Sequence, residues 1–159
     1  LFIFHNFLDA ATCEIYRKRI SNHYQERVAQ GKNPMSFDDS RTIDITTDII
    51  GSKVQEFLES ELRVRLNCHQ VELQTWPPGC PAALHMHIDK PYGQDYNSLI
   101  YLNSNFEGGE FHTDTGITLR PTVGTLTFFN GREVMHGIKP VFANNRYTII
   151  FWWKQTEFY

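Results

Sequence analysis

The chain has 159 residues, 41% apolar and 21% charged, with eighteen acidic side chains against fifteen basic ones for a net charge of −3. This composition excludes disorder, collagen and coiled coil, and the length fits one domain, 1–159, that needs no disulfide or metal merely to hold a core. The slightly acidic balance argues against a nucleic-acid partner, and no run approaches eighteen consecutive apolar residues, so no membrane span is expected.

The opening LFIFHNFLDAATCE lacks a basic leader region, so no signal peptide is expected. Asp9 can cap a helix from 10 to about 30, with Ile15, Ile20 and Val28 among its apolar positions and Gly31 as its stop. Gly31 to Arg41 is rich in turn formers and reads as a mobile loop. Thr47 or Asp48 can cap a second helix from 49 to about 66, where Ile50, Val54, Phe57, Leu58, Leu62 and Leu66 recur at helical spacing. From about residue 68 the pattern becomes short strands: 69–76, 83–88, 98–103, 110–112, 116–119, 125–129, 133–136 and 146–154. The fold class is therefore α+β, a jelly roll over about 68–159 supported by N-terminal helices over about 1–67. Cys13, Cys68 and Cys80 form no paired spacing, which reads as reduced thiols and a cytoplasmic location.

The sharpest local pattern is His85-Met86-His87-Ile88-Asp89. On a strand, His85, His87 and Asp89 point the same way, and a His and a carboxylate two apart can grip one metal ion. His136 is the natural third ligand, and two His with one carboxylate form the facial triad of non-haem Fe(II) oxygenases, with open positions for a cosubstrate and O2. A second pair, His112-Thr113-Asp114, lies only 22 positions before His136, against 47 from Asp89. The longer interval leaves room for intervening strands, and the second pair, close to Gly116, reads as a turn. His85 either replaces His87 as ligand or faces substrate.

Arg146 opens an apolar strand and shares a face with Thr148. Its guanidinium needs a partner, either a rim carboxylate or the carboxylate of a bound dicarboxylate ligand, which the Tyr101 hydroxyl could also reach.

These residues resemble the prolyl-hydroxylase group of Fe(II)/2-oxoglutarate-dependent dioxygenases over about Leu73 to Trp153. The likeness rests on the Pro78-Gly79 turn, His87-Ile88-Asp89, the Tyr101-Leu102-Asn103 run into Phe106-Glu107-Gly108-Gly109-Glu110-Phe111, Pro121-Thr122-Val123-Gly124, and His136-Gly137-Ile138-Lys139-Pro140-Val141 with Arg146 downstream. The run from Tyr101 to Phe111 and the run from His136 to Val141 are most similar to the leprecan, or prolyl 3-hydroxylase, branch. Ser40-Arg41-Thr42 is similar to a short Arg-Thr element of several prolyl hydroxylases. The resemblance implies a double-stranded β-helix, Fe(II) on His87, Asp89 and His136, and 2-oxoglutarate held at its distal carboxylate by Arg146, Tyr101 and Thr148. It implies consumption of O2, release of succinate and CO2, and ascorbate as a reductant. One departure is that Trp76 and Pro77 stand where relatives often carry a Tyr. The implied substrate is proline in a peptide or protein, or a free amino acid. Candidate substrate contacts are His85, Tyr92, Tyr96, Arg41 and Trp152, with the segments Gly31 to Arg41 and Asp89 to Asn97 as lids. The competing reading is an inactive or 2-oxoglutarate-independent, cupin-like metal-binding jelly roll.

Overall fold

The computed structural model describes residues 1–37, 40–80, 82–85, 96–120 and 122–158. Along the chain run β1 (Phe2–Phe4), α1 (Ala10–Ala29), β2 (Thr42–Asp44), α2 (Ile49–Leu62), β3 (Val64–Trp76), β4 (Ala82–His85), β5 (Tyr96–Tyr101), β6 (Glu107–Gly108), β7 (Phe111–Thr113), β8 (Thr118–Leu119), β9 (Leu126–Asn130), β10 (His136–Ile138), β11 (Val141–Ala143) and β12 (Arg146–Phe158). The chain is thus a mostly antiparallel sheet protein with two helices among the described residues, an arrangement consistent with a jelly roll.

Both helix starts follow from short acidic caps. The Asp9 carboxylate accepts from the Thr12 amide at 3.1 Å and its hydroxyl at 2.6 Å, satisfying donors that the first turn leaves orphaned. Asp48, not Thr47, caps α2, accepting from the Ile50 amide at 2.9 Å. The same Asp48 oxygen accepts from the Tyr16 hydroxyl at 2.7 Å, which ties α1 to the head of α2. Gly31, at φ 83°, ends the first helical run as expected. The second helix stops earlier than its apolar periodicity suggests. Arg63 takes a left-handed conformation, φ 52°, and turns the chain into β3, where Leu66 is buried as a strand residue. Ile15, expected on the buried side of α1, is exposed, while Cys13 and Ile20 carry the contact.

The main sheet has six strands in the order β1-β9-β5-β12-β3-β2. Its axis is the long antiparallel pairing of β12 with β3, from Arg146 opposite Trp76 to Phe158 opposite Val64. A second sheet has the order β4-β10-β7-β8, and β11 pairs with β6. Strands β1 and β2 fall in the region expected to be helical. They are three residues long, and each pairs with a single neighbour at one edge of the main sheet. The expected strand at 133–136 begins only at His136, because the amides of Glu133 and Val134 close a turn onto the Asn130 carbonyl.

Alternation along the strands divides the main sheet into two faces. Tyr147, Ile149, Phe151 and Trp153 of β12 pack with Ile100, Leu126 and Phe128 against Cys13, Ile20, Ile50, Val54 and Leu58 of the helices. The opposite face carries Leu99, Tyr101 and Phe129, which pack on Phe111 of the second sheet. The main sheet is therefore buried on both sides, by helices on one and by the second sheet on the other. The loop after Gly31 is anchored at its end: Ser40 and Arg41 are buried, and the Ser40 hydroxyl donates to the carbonyls of Asn33 and Ser36. That end contradicts the expectation of a mobile lid; Asp38 and Asp39 lie outside the described residues.

Cys13, Cys68 and Cys80 are free thiols. Burial pushes the Cys13 and Cys68 thiols up to about 11, and it also raises the phenols of Tyr16, Tyr24 and Tyr101. Each group holds its proton more tightly folded than unfolded. The stabilisation from the two thiols is therefore complete below the ordinary thiol range and lost as pH rises through about 11, and that from the phenols is lost only as each ionises above its ordinary range. Urea midpoints measured across the alkaline range should fall as pH approaches 11, and Cys13→Ala should flatten that fall.

Candidate functional site

The inner face of the main sheet carries the chemistry. On β12, Arg146, Thr148, Ile150 and Trp152 alternate onto this side, and the ladder places them against defined partners. Arg146 stands opposite Trp76, Thr148 opposite both Gln74 and Tyr101, Ile150 opposite Leu99, and Trp152 opposite Asn97. Between this face and the second sheet lies a cavity of about 130 Å³. Its described walls include Phe37, Trp76, Asn97, Leu99, Phe111, Phe129, His136, Ile150 and Trp152.

His136 is fixed from three directions. Its backbone opens β10, pairing with Thr113 of β7 on one side and with His85 of β4 on the other. Its ring stacks on Phe111, centroids 5.8 Å apart, and meets Phe129 edge-on at 4.7 Å. Its Nδ1 lies 2.7 Å from the Val134 carbonyl oxygen. A carbonyl only accepts, so this bond places the proton on Nδ1 and the basic lone pair on Nε2, the form in which an imidazole binds a metal.

The strand leading into the His-x-Asp motif is thus hydrogen-bonded beside His136, up to His85. His87, Asp89 and Tyr92 themselves lie outside the described residues. Among the described residues, no three His, Cys, Asp or Glu side chains gather as a metal site. In the second motif, His112 and Thr113 are strand residues of β7 rather than turn residues, and Asp114 opens the turn. Phe111 packs on His136 and Phe129, so alternation turns His112 away from His136.

Arg146 is 1% exposed, not a rim residue. Among the described residues no carboxylate pairs with it, which removes the surface salt-bridge reading. Its Nε donates to the Gly109 carbonyl at 3.0 Å, and its Cζ lies 5.2 Å from the centre of the Tyr101 ring. Its Nη2 and the Tyr101 hydroxyl are both buried, and apart from each other neither has a hydrogen-bond partner among the described residues. Burial makes Arg146 a weaker base and Tyr101 a weaker acid, each partly countered by the other. A buried cation and a buried hydroxyl, both with unused donors, fit an anionic oxygen ligand. Thr148, across the ladder from Tyr101, is equally buried.

The Gly108-Gly109 pair makes this possible. At Gly109, φ 69°, a Cβ would come within 3.0 Å of Arg146 Cδ and 3.1 Å of Phe106 and Val141. At Gly108 it would strike the Pro140 carbonyl oxygen at 2.0 Å. Only glycine lets the backbone lie against the arginine stem and offer it a carbonyl.

Other expected residues separate. Trp152 lines the cavity. Arg41 stands behind the wall, its Cζ 4.7 Å from the Phe37 ring and 4.6 Å from the Trp76 ring, with Nη1 donating to Cys80 Sγ. Tyr96 is a correction. It stacks on Phe128, centroids 5.0 Å apart, on the helix side of the sheet, because alternation gives the cavity side to Asn97. Asn97 was not anticipated. It is fully buried, its Oδ1 has no partner among the described residues, and stepping back by twos from Tyr101 would have reached it. Trp76, standing where a tyrosine was expected, also carries a buried Nε1 without a partner among the described residues.

Residues 72–154 match the family model described as the 2OG-Fe(II) oxygenase superfamily. Prolyl 3-hydroxylase 2 of Gallus gallus and that of Homo sapiens are each 34% identical over 74 residues, which is 42% of this chain and 10% of theirs. The chain therefore spans about a tenth of the length of the curated relatives it matches. Among solved structures, a viral collagen prolyl hydroxylase from Paramecium bursaria Chlorella virus-1, in a 2-oxoglutarate complex, superposes with TM-score 0.72 at 19% identity, covering 98% of this chain and 96% of that one. A Trichoplax adhaerens prolyl hydroxylase in complex with a hypoxia-inducible-factor peptide fragment gives 0.67 at 19% identity, covering 96% and 82%. At such identities these likenesses carry the fold alone.

Gly109→Ala should destabilise the chain by about 1–3 kcal/mol, the cost of one strained backbone position. Thermal unfolding checks it, and a neutral result would mean that Arg146 does not rest on this backbone.

Proposed function

We infer the function of this chain from its family: it belongs to the 2OG-Fe(II) oxygenase superfamily and is a prolyl-hydroxylase-like, 2-oxoglutarate-dependent dioxygenase. We propose that His87, Asp89 and His136 hold Fe(II), and that Arg146, Tyr101 and Thr148 hold the distal carboxylate of 2-oxoglutarate. The fold is then a double-stranded β-helix whose inner side would hold both the metal ligands and the carboxylate anchor. The observation that carries the reading is Arg146, a buried guanidinium with no carboxylate among the described residues, on the same inner face whose cavity His136 lines.

Bound there, Fe(II) and 2-oxoglutarate would supply hydroxylation of a C–H bond by O2 coupled to decarboxylation of 2-oxoglutarate to succinate and CO2, with ascorbate serving only to keep the iron reduced. The chain's own residues position and exclude. Val134 holds the His136 ring in its metal-binding tautomer. Phe111, Phe129, Leu99 and Ile150 make the cavity apolar, which keeps water from the reacting centre. Arg146 and Tyr101 bind and orient a carboxylate through donors already in place.

The substrate is proline in a peptide or protein, or a free amino acid. The prolyl-hydroxylase names of the relatives and the peptide complex of the Trichoplax protein support this class. Trp152 contributes to its wall, His85 and Tyr92 are further contacts, and Arg41 supports the wall from behind through Phe37 and Trp76; three free thiols support a cytoplasmic location. No helix is long and apolar enough to cross a membrane among the described residues. A cupin-like protein working without 2-oxoglutarate would leave the buried Arg146 unexplained.

Titrating 2-oxoglutarate into the Fe(II)-loaded chain without oxygen should give a saturable visible charge-transfer band. His87→Ala or His136→Ala should abolish both the band and succinate formation, and activity retained in either variant removes that residue from the ligand set. Arg146→Ala should raise the 2-oxoglutarate requirement about 10- to 100-fold, the worth of a lost charge-assisted hydrogen bond. An unchanged requirement would place the distal carboxylate elsewhere.

A further inference from the structure

Arg146 is positioned at two points. Gly109 holds the side chain at Nε, and a second hold acts on the backbone at either side of the residue. Asn103 lies just past the end of β5 and is 6% exposed. Its Oδ1 accepts from the Tyr147 amide at 2.9 Å, and its Nδ2 donates to the Asn145 carbonyl at 2.8 Å. One carboxamide thus bridges the residues before and after Arg146. The bridge is stiffened from both ends. Asn103 Nδ2 also donates to Asn105 Oδ1 at 2.8 Å, and the Asn105 carbonyl accepts from Asn144 Nδ2 at 2.8 Å. Asn144 is left-handed, φ 61°, in the turn that delivers the chain to β12. The neighbouring Leu102 amide donates to the Tyr147 carbonyl at 3.0 Å.

Asn103 does not line the cavity of His136; it faces a separate, open basin of about 720 Å³ at the surface. Its side chain bonds the residues on either side of Arg146, so it would act on a ligand through Arg146 rather than by contact. Asn103 also stands two residues from Tyr101 on one continuous backbone. It therefore couples the strand that carries the hydroxyl to the strand that carries the guanidinium.

We propose that Asn103 is the positioning residue that sets Arg146 against Tyr101 as a carboxylate clamp, and so makes the site selective for 2-oxo acids with a second carboxylate. This rests on the assignment of Arg146 to the distal carboxylate of 2-oxoglutarate. Two probes separate positioning from general structural support. 2-Oxoglutarate carries the distal carboxylate, whereas 2-oxobutyrate has the same metal-chelating end and lacks it. Binding is read in the Fe(II)-loaded full chain without oxygen, from the charge-transfer band.

Asn103→Ala should weaken 2-oxoglutarate about tenfold and leave 2-oxobutyrate within about twofold of its original affinity. The pair Asn103→Ala and Arg146→Ala should lose no more than Arg146→Ala alone, since both act on one contact. Should the alanine variant fail to fold, Asn103→Asp carries the test. It keeps the acceptor for Tyr147 and turns both donated bonds into contacts between acceptors, so it should show the same selective loss in at least equal degree. An unchanged 2-oxoglutarate affinity, or an equal loss for both probes, overturns the positioning role while leaving the cosubstrate assignment in place. If the unmodified chain does not prefer 2-oxoglutarate over 2-oxobutyrate, the assignment of Arg146 itself fails and the proposal falls with it.

Discussion

Strand β12 is hydrogen-bonded on both sides, to β3 and to β5, and that constraint organises everything else. A strand held on both edges cannot rotate, so its side chains go strictly to one face or the other. Tyr147, Ile149, Phe151 and Trp153 are thereby committed to the helices, and Arg146, Thr148, Ile150 and Trp152 to the interior. Slipping the register by one residue would send a guanidinium into the helix-facing core and the Tyr147 phenol and Phe151 ring toward the site. The same pairing that buries the apolar half of the strand therefore specifies the polar half.

Burying Arg146 is costly, since a desolvated guanidinium without an anion loses several kcal/mol of hydration that only partners can return. The described structure returns part of it, through the Gly109 carbonyl and the face of the Tyr101 ring. The remainder is left as an Nη2 and a hydroxyl with no partner but each other among the described residues. The backbone on both sides of this residue is hydrogen-bonded, yet these two donors and the Nε1 of Trp76 across the ladder are left over. Such residual frustration is characteristic of sites that complete themselves with a ligand.

Much of this was legible in the residues. Asp9 and Asp48 cap as short acidic residues should, and the period-two apolar runs located most strands. Arg146 and Thr148 share a face because alternation in an uninterrupted strand leaves no other outcome. What was not legible depended on tertiary pairing. Strands β1 and β2 are too short for a periodic signal and exist because β9 and β3 offer them an edge. The helical spacing of Leu62 and Leu66 continues past Arg63, where the left-handed turn ends the helix and Leu66 is claimed by the sheet. Aromatic character alone does not place Tyr96 in the site, because parity along β5 assigns the cavity side to Asn97. The Asn103 bridge joins positions more than forty apart in the chain, a contact no local pattern announces.

Strands β3 and β12 each run thirteen residues, yet their described neighbours flank only part of that length. Strand β5 meets β12 from Thr148 to Trp153, and β2 meets β3 from Glu72 to Gln74. Beyond those stretches, toward Val64 opposite Phe158, the ladder continues as a two-stranded ribbon. Such a ribbon twists more strongly than a sheet paired on every edge. The long ladder is therefore best braced around Thr148, inside the site, and most free to coil at the end away from it.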